Sequence, residues 1–308
     1  MSDPLSDVLA LLELESVATA RLETGGAWAM RFPARPYIKF NAVLQGQCWI
    51  TPDGQAPCQL AAGDTFLMSG VEGYTLSGTP SHAGVEAADG PALFAAARQA
   101  QSNCVRHGGA GTILVGGGFV FGAHTGSLLL DVLPAFLLIP GGSSVAAILR
   151  TTLALLDTEL SGGAMGASLV TRHLADILLV QALRAQVALH GVESAGWIGA
   201  LGDKRIGAAL RQMHRDPRRR WSVAVLAAEA GMSRSGFALR FKALVGSAPL
   251  AYLTHWRMQL ARSALRRADT SVATLADQLG YASESAFGNA FKRHFGRAPR
   301  RYWQAQPV

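Results

Sequence analysis

The side chains that could do bond-making chemistry in this chain are few and scattered. Its soft ligands and nucleophiles are three cysteines, Cys48, Cys58 and Cys104, and eight histidines. No CxxC or clustered Cys/His spacing suggests a zinc site. An odd, small number of cysteines makes no disulfide framework, so they read as reduced thiols, some buried as small hydrophobes. Cys104 is the redox candidate, because it stands just before Val105, Arg106 and His107 and a nearby cation lowers a thiol pKa. The stretch HGGAGTILVGGGFVFG invites a phosphate-loop reading. It lacks GK[ST] and a true GxGxxG, and glycines in strand turns or bulges explain it more simply. The sequence implies no metal and no cofactor.

A different chemistry is written in charge. Residues 1–202 carry 9 Lys+Arg against 15 Asp+Glu, a net of −6, whereas residues 203–308 carry 19 against 6, a net of +13. Halves of opposite sign argue for two domains with different partners. A third of the chain holding +13 is the footprint of a polyanion binder.

That basic third contains one pattern written twice. LAAEAGMSRSGFALRFKALVGSAPLAYL (226–253) is echoed by LADQLGYASESAFGNAFKRHFGRAPRRYW (275–303). Gly231 matches Gly280; Phe237, Phe241 and Lys242 match Phe287, Phe291 and Lys292; Gly246, Pro249 and Tyr252 match Gly296, Pro299 and Tyr302. Each copy reads as helix, tight turn, helix. Ser222 caps a helix over 223–230, Gly231 turns left-handed, and Ser233 caps 234–245. Ser271, Gly280 and Ser283 do the same for 272–279 and 284–295. This is the helix-turn-helix of DNA binders, expected at 223–245 and 272–295.

On the second helix of each copy the phenylalanines face the core. Away from them stand Ser235, Ala238, Leu239 and Lys242, and in copy two Ser285, Gly288, Asn289 and Lys292. Small and polar residues on that face leave base edges accessible in a major groove. Arg234 and Arg293 complete the expected DNA-binding set, with Arg and Lys on phosphate. Between the copies, 249–268 keeps helical spacing through Leu253, Trp256, Leu260 and Ala264. Such a rod spans about 27 Å, a spacer that sets two recognition helices about one DNA turn apart.

The rest of the chain must hold the acidic domain. Residues 1–25 look helical at first, with Val8, Leu9, Leu11, Leu12, Leu14 and Val17 as an apolar stripe. From Trp28 to about Ile139, short aromatic and β-branched runs alternate with Gly and Pro, the pattern of an antiparallel sandwich or barrel. Helical periodicity returns over 143–160 and 167–190. Leu169, Val170, Leu174, Ile177, Leu178 and Leu183 give the second helix a wide apolar face, and any surplus could pair two subunits. LLLDVLPAFLLIP (128–140) is broken by Asp131 and Pro134, so no transmembrane helix is expected. The acidic N-terminus is not a signal peptide, and a cytoplasmic location follows as the default.

Residues 203–304 resemble the DNA-binding domain of the AraC/XylS family of bacterial transcription regulators, carried above all by GYASESAFGNAFKRHFGRAP. The resemblance places base contacts at Ser235, Ala238 and Leu239, then Glu284, Ser285 and Asn289. Ala238 and Leu239 depart from the polar residues usual there, and thymine-methyl contacts would substitute. The first 140 residues resemble, through CQLAAGDTFLMSG, the cupin-like sensing barrel of that family. There is no HxH pair; Tyr74 stands where a later ligand His would be, and His82, His107 and His124 are scattered.

The expected fold is therefore α+β with two domains: a cupin-like antiparallel β-barrel with following helices, then an all-α double helix-turn-helix domain. The divisions are 1–142 for the sensor, 143–202 for a helical linker or dimerisation region, and 203–304 for DNA binding. The expected function is a sequence-specific transcription regulator without enzymatic activity. Its partners would be double-stranded promoter DNA, a small-molecule effector, RNA polymerase if it activates, and a second copy if it dimerises. Phe40, Trp49, Tyr74 and His107 are the candidate effector-lining residues. The alternative is an enzyme with a DNA-targeting tail, either a cupin metalloenzyme or a thiol-based repair protein. The first needs His ligands and the second a Cys cluster, and the sequence has neither.

Overall fold

A computed structural model describes residues 3–11, 14–35, 37–69, 73–81, 84–121, 134–191, 196–267 and 270–304. They form two compact units: Leu14–Leu189, and Met1–Glu13 together with His190–Val308. His82, His124 and most of the apolar segment before Pro134 lie outside the described residues.

The first unit is built on two sheets. One has the order β11-β6-β3-β10-β1-β9, from Phe136–Ile139, Thr65–Ser69, Ile38–Gln45, Thr112–Phe121, Leu14–Thr24 and Cys104–His107. The other has the order β5-β4-β7-β2-β8, from Cys58–Ala61, Gln47–Pro52, Tyr74–Ser77, Ala29–Phe32 and Ala88–Asp89. Pairing is antiparallel apart from β1 with β9 and β2 with β8. Leu22, Val43, Phe66 and Leu114 of one sheet and Met30, Ile50, Leu60 and Leu76 of the other form a shared buried core. The expected double-sheet barrel is present.

The N-terminus differs from its helical reading. Only Pro4–Leu11 is helix (α1), and Leu14–Thr24 is strand. From Thr19 onward the period is two. Leu22 and Thr24 are buried, while Arg21 and Glu23 alternate with them and pair with each other at 2.8 Å. Arg21 also pairs with Asp157 on α3 (Ala146–Gly162). Alternation of this kind specifies a strand whatever the helical stripe before it.

Three helices accompany the sheets. α2 (Gly90–Gln99) packs on β2, β8 and β9, and α3 packs on β1 and β10. α4 (Ala167–His190) buries Leu174, Leu178 and Leu183. Ile148, Leu155, Leu169, Val170 and Ile177 of α3 and α4 are exposed.

The second unit is helical: α5 (Gly196–Gly202), α6 (Ile206–Arg215), α7 (Val223–Glu229), α8 (Arg234–Val245), α9 (Pro249–Arg267), α10 (Val272–Gln278), α11 (Glu284–Phe295) and α12 (Pro299–Gln304). It has two small cores. Phe237, Phe241, Leu226, Leu210 and Trp221 centre one, and Phe287, Phe291, Leu275, Leu265 and Met258 the other.

α1 belongs to this unit, packed on α5, α6 and α9, so the partition does not coincide with divisions at 142 and 202. The cause is local. Val8 is buried, and Asp7 Oδ2 stands 3.2 Å from His214 Nδ1 on α6. His214 Nε2 meets the Tyr252 hydroxyl at 2.7 Å, and its ring stacks on Trp256 at 4.0 Å. α5 likewise buries Trp197 and Ile198. These helices need the basic unit's surface to cover their apolar side chains.

Candidate nucleic-acid interface and ligand cavity

The two helix-turn-helices are built alike from their serines outward. Ser222, Ser233, Ser271 and Ser283 are extended N-cap residues, and each hydroxyl accepts the amide three residues on, at 3.1–3.2 Å. Such a cap satisfies one of the amides a helix start leaves open. Gly231 and Gly280 turn with φ of +63° and +74°. The phenylalanine rings of each second helix meet at 5.6 Å (Phe237–Phe241) and 5.8 Å (Phe287–Phe291), all fully buried.

Turning those rings inward presents the opposite face to solvent. Arg234, Ser235, Leu239 and Lys242 are exposed on α8, with Ala238 half-buried. Ser285, Asn289, Lys292 and Arg293 are exposed on α11. Leu239 is 72% exposed, an apolar side chain that enters no core. Glu284 is half-buried and takes Arg300 at 2.9 Å, so one carboxylate oxygen already has a partner.

The helix between the copies fixes them to one another. α9 has 19 residues, about 28 Å at 1.5 Å per residue. Its Arg257 donates to the carbonyls of Pro217 (2.7 Å) and Arg219 (2.9 Å) in the loop before the first copy. The same loop reaches the second copy through Arg218, paired with Asp277 at 2.9 Å.

The β-unit holds a cavity of about 440 Å³. Of the four expected lining residues, Tyr74 lines it, and Phe40, Trp49 and His107 do not. The pleat explains the difference. On β3, Phe40 lies opposite Gly117 of β10 and packs at 5.0 Å on Phe119, on the other face of the sheet. Its neighbours Lys39 and Asn41 therefore point into the cavity, opposite Gly118 and Gly116. A Cβ on Gly116 would collide with the Asn41 side chain, so the glycine-rich strand clears space where a phosphate loop could be suspected.

Sequence reading missed Lys39, Asn41, Arg35 and Arg98. The signal for the first two was present in YIKFNAV, where Ile38, Phe40 and Ala42 claim one face and leave Lys39 and Asn41 to the other. The Lys39 ammonium lies over the rings of Phe32 (4.0 Å), Tyr74 (4.9 Å) and Tyr37 (5.4 Å). Burial, with help from Arg35, lowers its pKa to about 7.

At Cys104 the surroundings work against the lowered pKa expected next to a cation. Burial and then Glu23 push its pKa up, and Arg106 and Arg21 do not offset them. Cys48, fully buried, is pushed up to about 12 by burial and Asp64. Among the described residues no three His, Cys, Asp or Glu stand together as metal ligands. No described helix is long and apolar enough to cross a membrane.

A double helix-turn-helix in one unit and a cavity-bearing double sheet in the other define a DNA-binding transcription regulator, the class of the proteins similar to it in sequence. Residues 3–188 match a family described as Cupin, and residues 226–305 one described as Helix-turn-helix domain. The chain is 43% identical to a putative AraC-like transcription regulator of Streptomyces lividans, over 97% of each chain. It is 27% identical to the HTH-type transcriptional regulator AlkR of Acinetobacter baylyi, over 98% of this chain and 99% of that one. The crystal structure of the AdpA DNA-binding domain in complex with a target DNA aligns at 33% identity and a TM-score of 0.32. That alignment covers 33% of this chain and 93% of that one. The chain belongs to the AraC family of transcription regulators.

Proposed function

We propose that this regulator reads promoter DNA with both α8 and α11 and is controlled by a molecule bound in the β-unit's cavity. The carrying observation is the repeated geometry: two serine-capped helices, each turning two phenylalanines inward and small or polar residues outward. Asn289 and Ser285, with Ser235, Ala238 and Leu239, face the bases in this reading, and Arg234, Lys242, Lys292 and Arg293 the phosphates. Control requires the ligand to favour one of two arrangements of the chain; equal affinity for both would change nothing.

The remaining parts are assigned on chemistry. The exposed Ile148, Leu155, Leu169 and Ile177 suit a second copy of the chain. An activator would also touch RNA polymerase. A DNA-binding protein of this bacterial family works in the cytoplasm, and the chain acts by binding rather than by catalysis.

Selection of bound duplexes from a random pool, followed by footprinting, tests the reading. The expected result is an enriched site protected at two major grooves about 10–10.5 base pairs apart on one face. No enrichment, or enrichment unaffected by substitutions in both α8 and α11, would contradict it.

A further inference from the structure

We propose that the cavity of the β-unit binds a small organic carboxylate with an apolar body, its head group held by Lys39, Asn41 and Arg35. This rests on the reading of that unit as the sensor and names the chemistry of what it senses.

Charge is the first ground. Residues 1–202 are acidic, with 15 carboxylates against 9 cations. Yet the cavity lining takes three of those cations, Arg35, Lys39 and Arg98, and none of the carboxylates. None of the three has a carboxylate partner among the described residues. An acidic domain that keeps its acids away from one concave, apolar-walled site leaves that site attractive to anions.

Unmet hydrogen bonds are the second ground. The amide nitrogen Nδ2 of Asn41 is buried and makes no hydrogen bond within ordinary distance and angle. It sits on the face of β3 that carries Lys39. A buried donor without an acceptor is costly. Two donors two residues apart on one strand face ask for an acceptor with two oxygens, and a carboxylate supplies them. A neutral alcohol satisfies them in part, and an ammonium not at all.

The walls set the rest of the ligand. Leu22, Phe94, Val105 and Leu114 are apolar, and Gly116 and Gly118 leave the β10 side flat. A chain or ring fits against them.

Binding then carries a proton signature. The groups around Lys39 are Arg35 and Tyr37, which precede β3, Phe32 of β2 and Tyr74 of β7, with Arg98 of α2 in the same cavity lining. With its amine titrating near neutrality, part of the population is uncharged before the ligand arrives. A carboxylate beside it restores the ammonium, so the complex takes up part of a proton from solvent.

Calorimetry and thermal shift on the full chain test this with decanoate below its micellar concentration, 2-naphthoate, decanol and decylamine. The expected result is that one or both carboxylates bind and raise the melting temperature. Decanol should bind at least tenfold more weakly, and decylamine should not bind. Carboxylate binding heats should differ between buffers of different ionisation enthalpy, and affinity should fall as pH rises above about 7. Lys39→Met should reduce carboxylate affinity tenfold or more and remove the buffer dependence. Arg98→Gln, at the exposed rim, should weaken carboxylates a few-fold while leaving the fold untouched. The proposal is overturned if neither carboxylate binds, if decanol binds as tightly, or if both variants match the parent. Duplex binding measured in the same samples separates the two readings. Carboxylate binding that leaves DNA affinity unchanged keeps the ligand class and rejects the sensing role.

Discussion

Gly280, the turn residue of the second helix-turn-helix, lies directly against the backbone carbonyl of Arg218, so a methyl group there has no room. Gly231, its counterpart in the first copy, has open space beside it. Both are left-handed, with φ of +74° and +63°. Gly231→Ala should therefore lose only the left-handed preference, about 1–2 kcal/mol. Gly280→Ala adds a collision with backbone and should lower the melting temperature clearly further, with loss of DNA binding. Equal thermal shifts for the two variants would show that the Arg218 contact does not constrain the second copy.

Acid should loosen the DNA-binding unit. Burial lowers the His255 pKa to about 4, with His294 and Arg262 adding to it. Burial also lowers that of His214, against the opposing pull of Asp7. Both are neutral in the folded chain at pH values where the unfolded chain, titrating near 6.5, takes up protons. Below about 6.5 the unfolded state binds more protons, so stability falls as pH drops toward 4. Each histidine contributes up to about 1.4 kcal/mol per pH unit in that window. Burial lowers the His294 pKa as well, so chemical denaturation at pH 7 and pH 5 reads the combined slope, and His255→Gln should reduce it. A flat stability across that range would mean the two imidazoles are protonated in the folded state.

Cys104 should behave as an ordinary or sluggish thiol. Its raised pKa predicts an alkylation rate that climbs with pH past the free-cysteine range near 8.5, because the thiolate is the nucleophile. Iodoacetamide labelling of a Cys58→Ser variant, followed by mass spectrometry, measures that profile. Fast labelling at pH 6 would restore the activated-thiol reading.

The basic unit was legible in the sequence because its elements signal themselves locally. Ser233 and Ser283 announce helix starts, Gly231 and Gly280 the turns, and Phe237, Phe241, Phe287 and Phe291 the inward faces. Each is a near-neighbour relation that survives in one dimension. The recognition helices begin and end at the residues expected, 234–245 and 284–295. The cavity was less legible, because a strand's inward face is set by which partner covers it. Choosing the aromatic Phe40 ignored the pleat, which sends Phe40 to Phe119 and leaves Lys39 inside. Trp49 was misplaced by the same parity, since its neighbours Cys48 and Ile50 are the core residues of β4. The seat of α1 was beyond local reading altogether: Asp7 meets His214 across 207 residues of sequence.

The proposal that Asn289 reads bases and Lys292 holds phosphate on α11 is tested by a salt series. Asn289 and Lys292 are both exposed on that helix, one turn apart. Binding isotherms of the full chain on its selected site and on a scrambled site, over a range of salt, would be compared for the parent, Asn289→Ala and Lys292→Ala. Asn289→Ala should lose about 1–3 kcal/mol on the selected site and relax preference at one base pair, with the salt slope unchanged. Lys292→Ala should weaken both sites about equally and lower the salt slope by about one. The opposite assignment, or two silent substitutions, would contradict the claim that this face of α11 reads DNA.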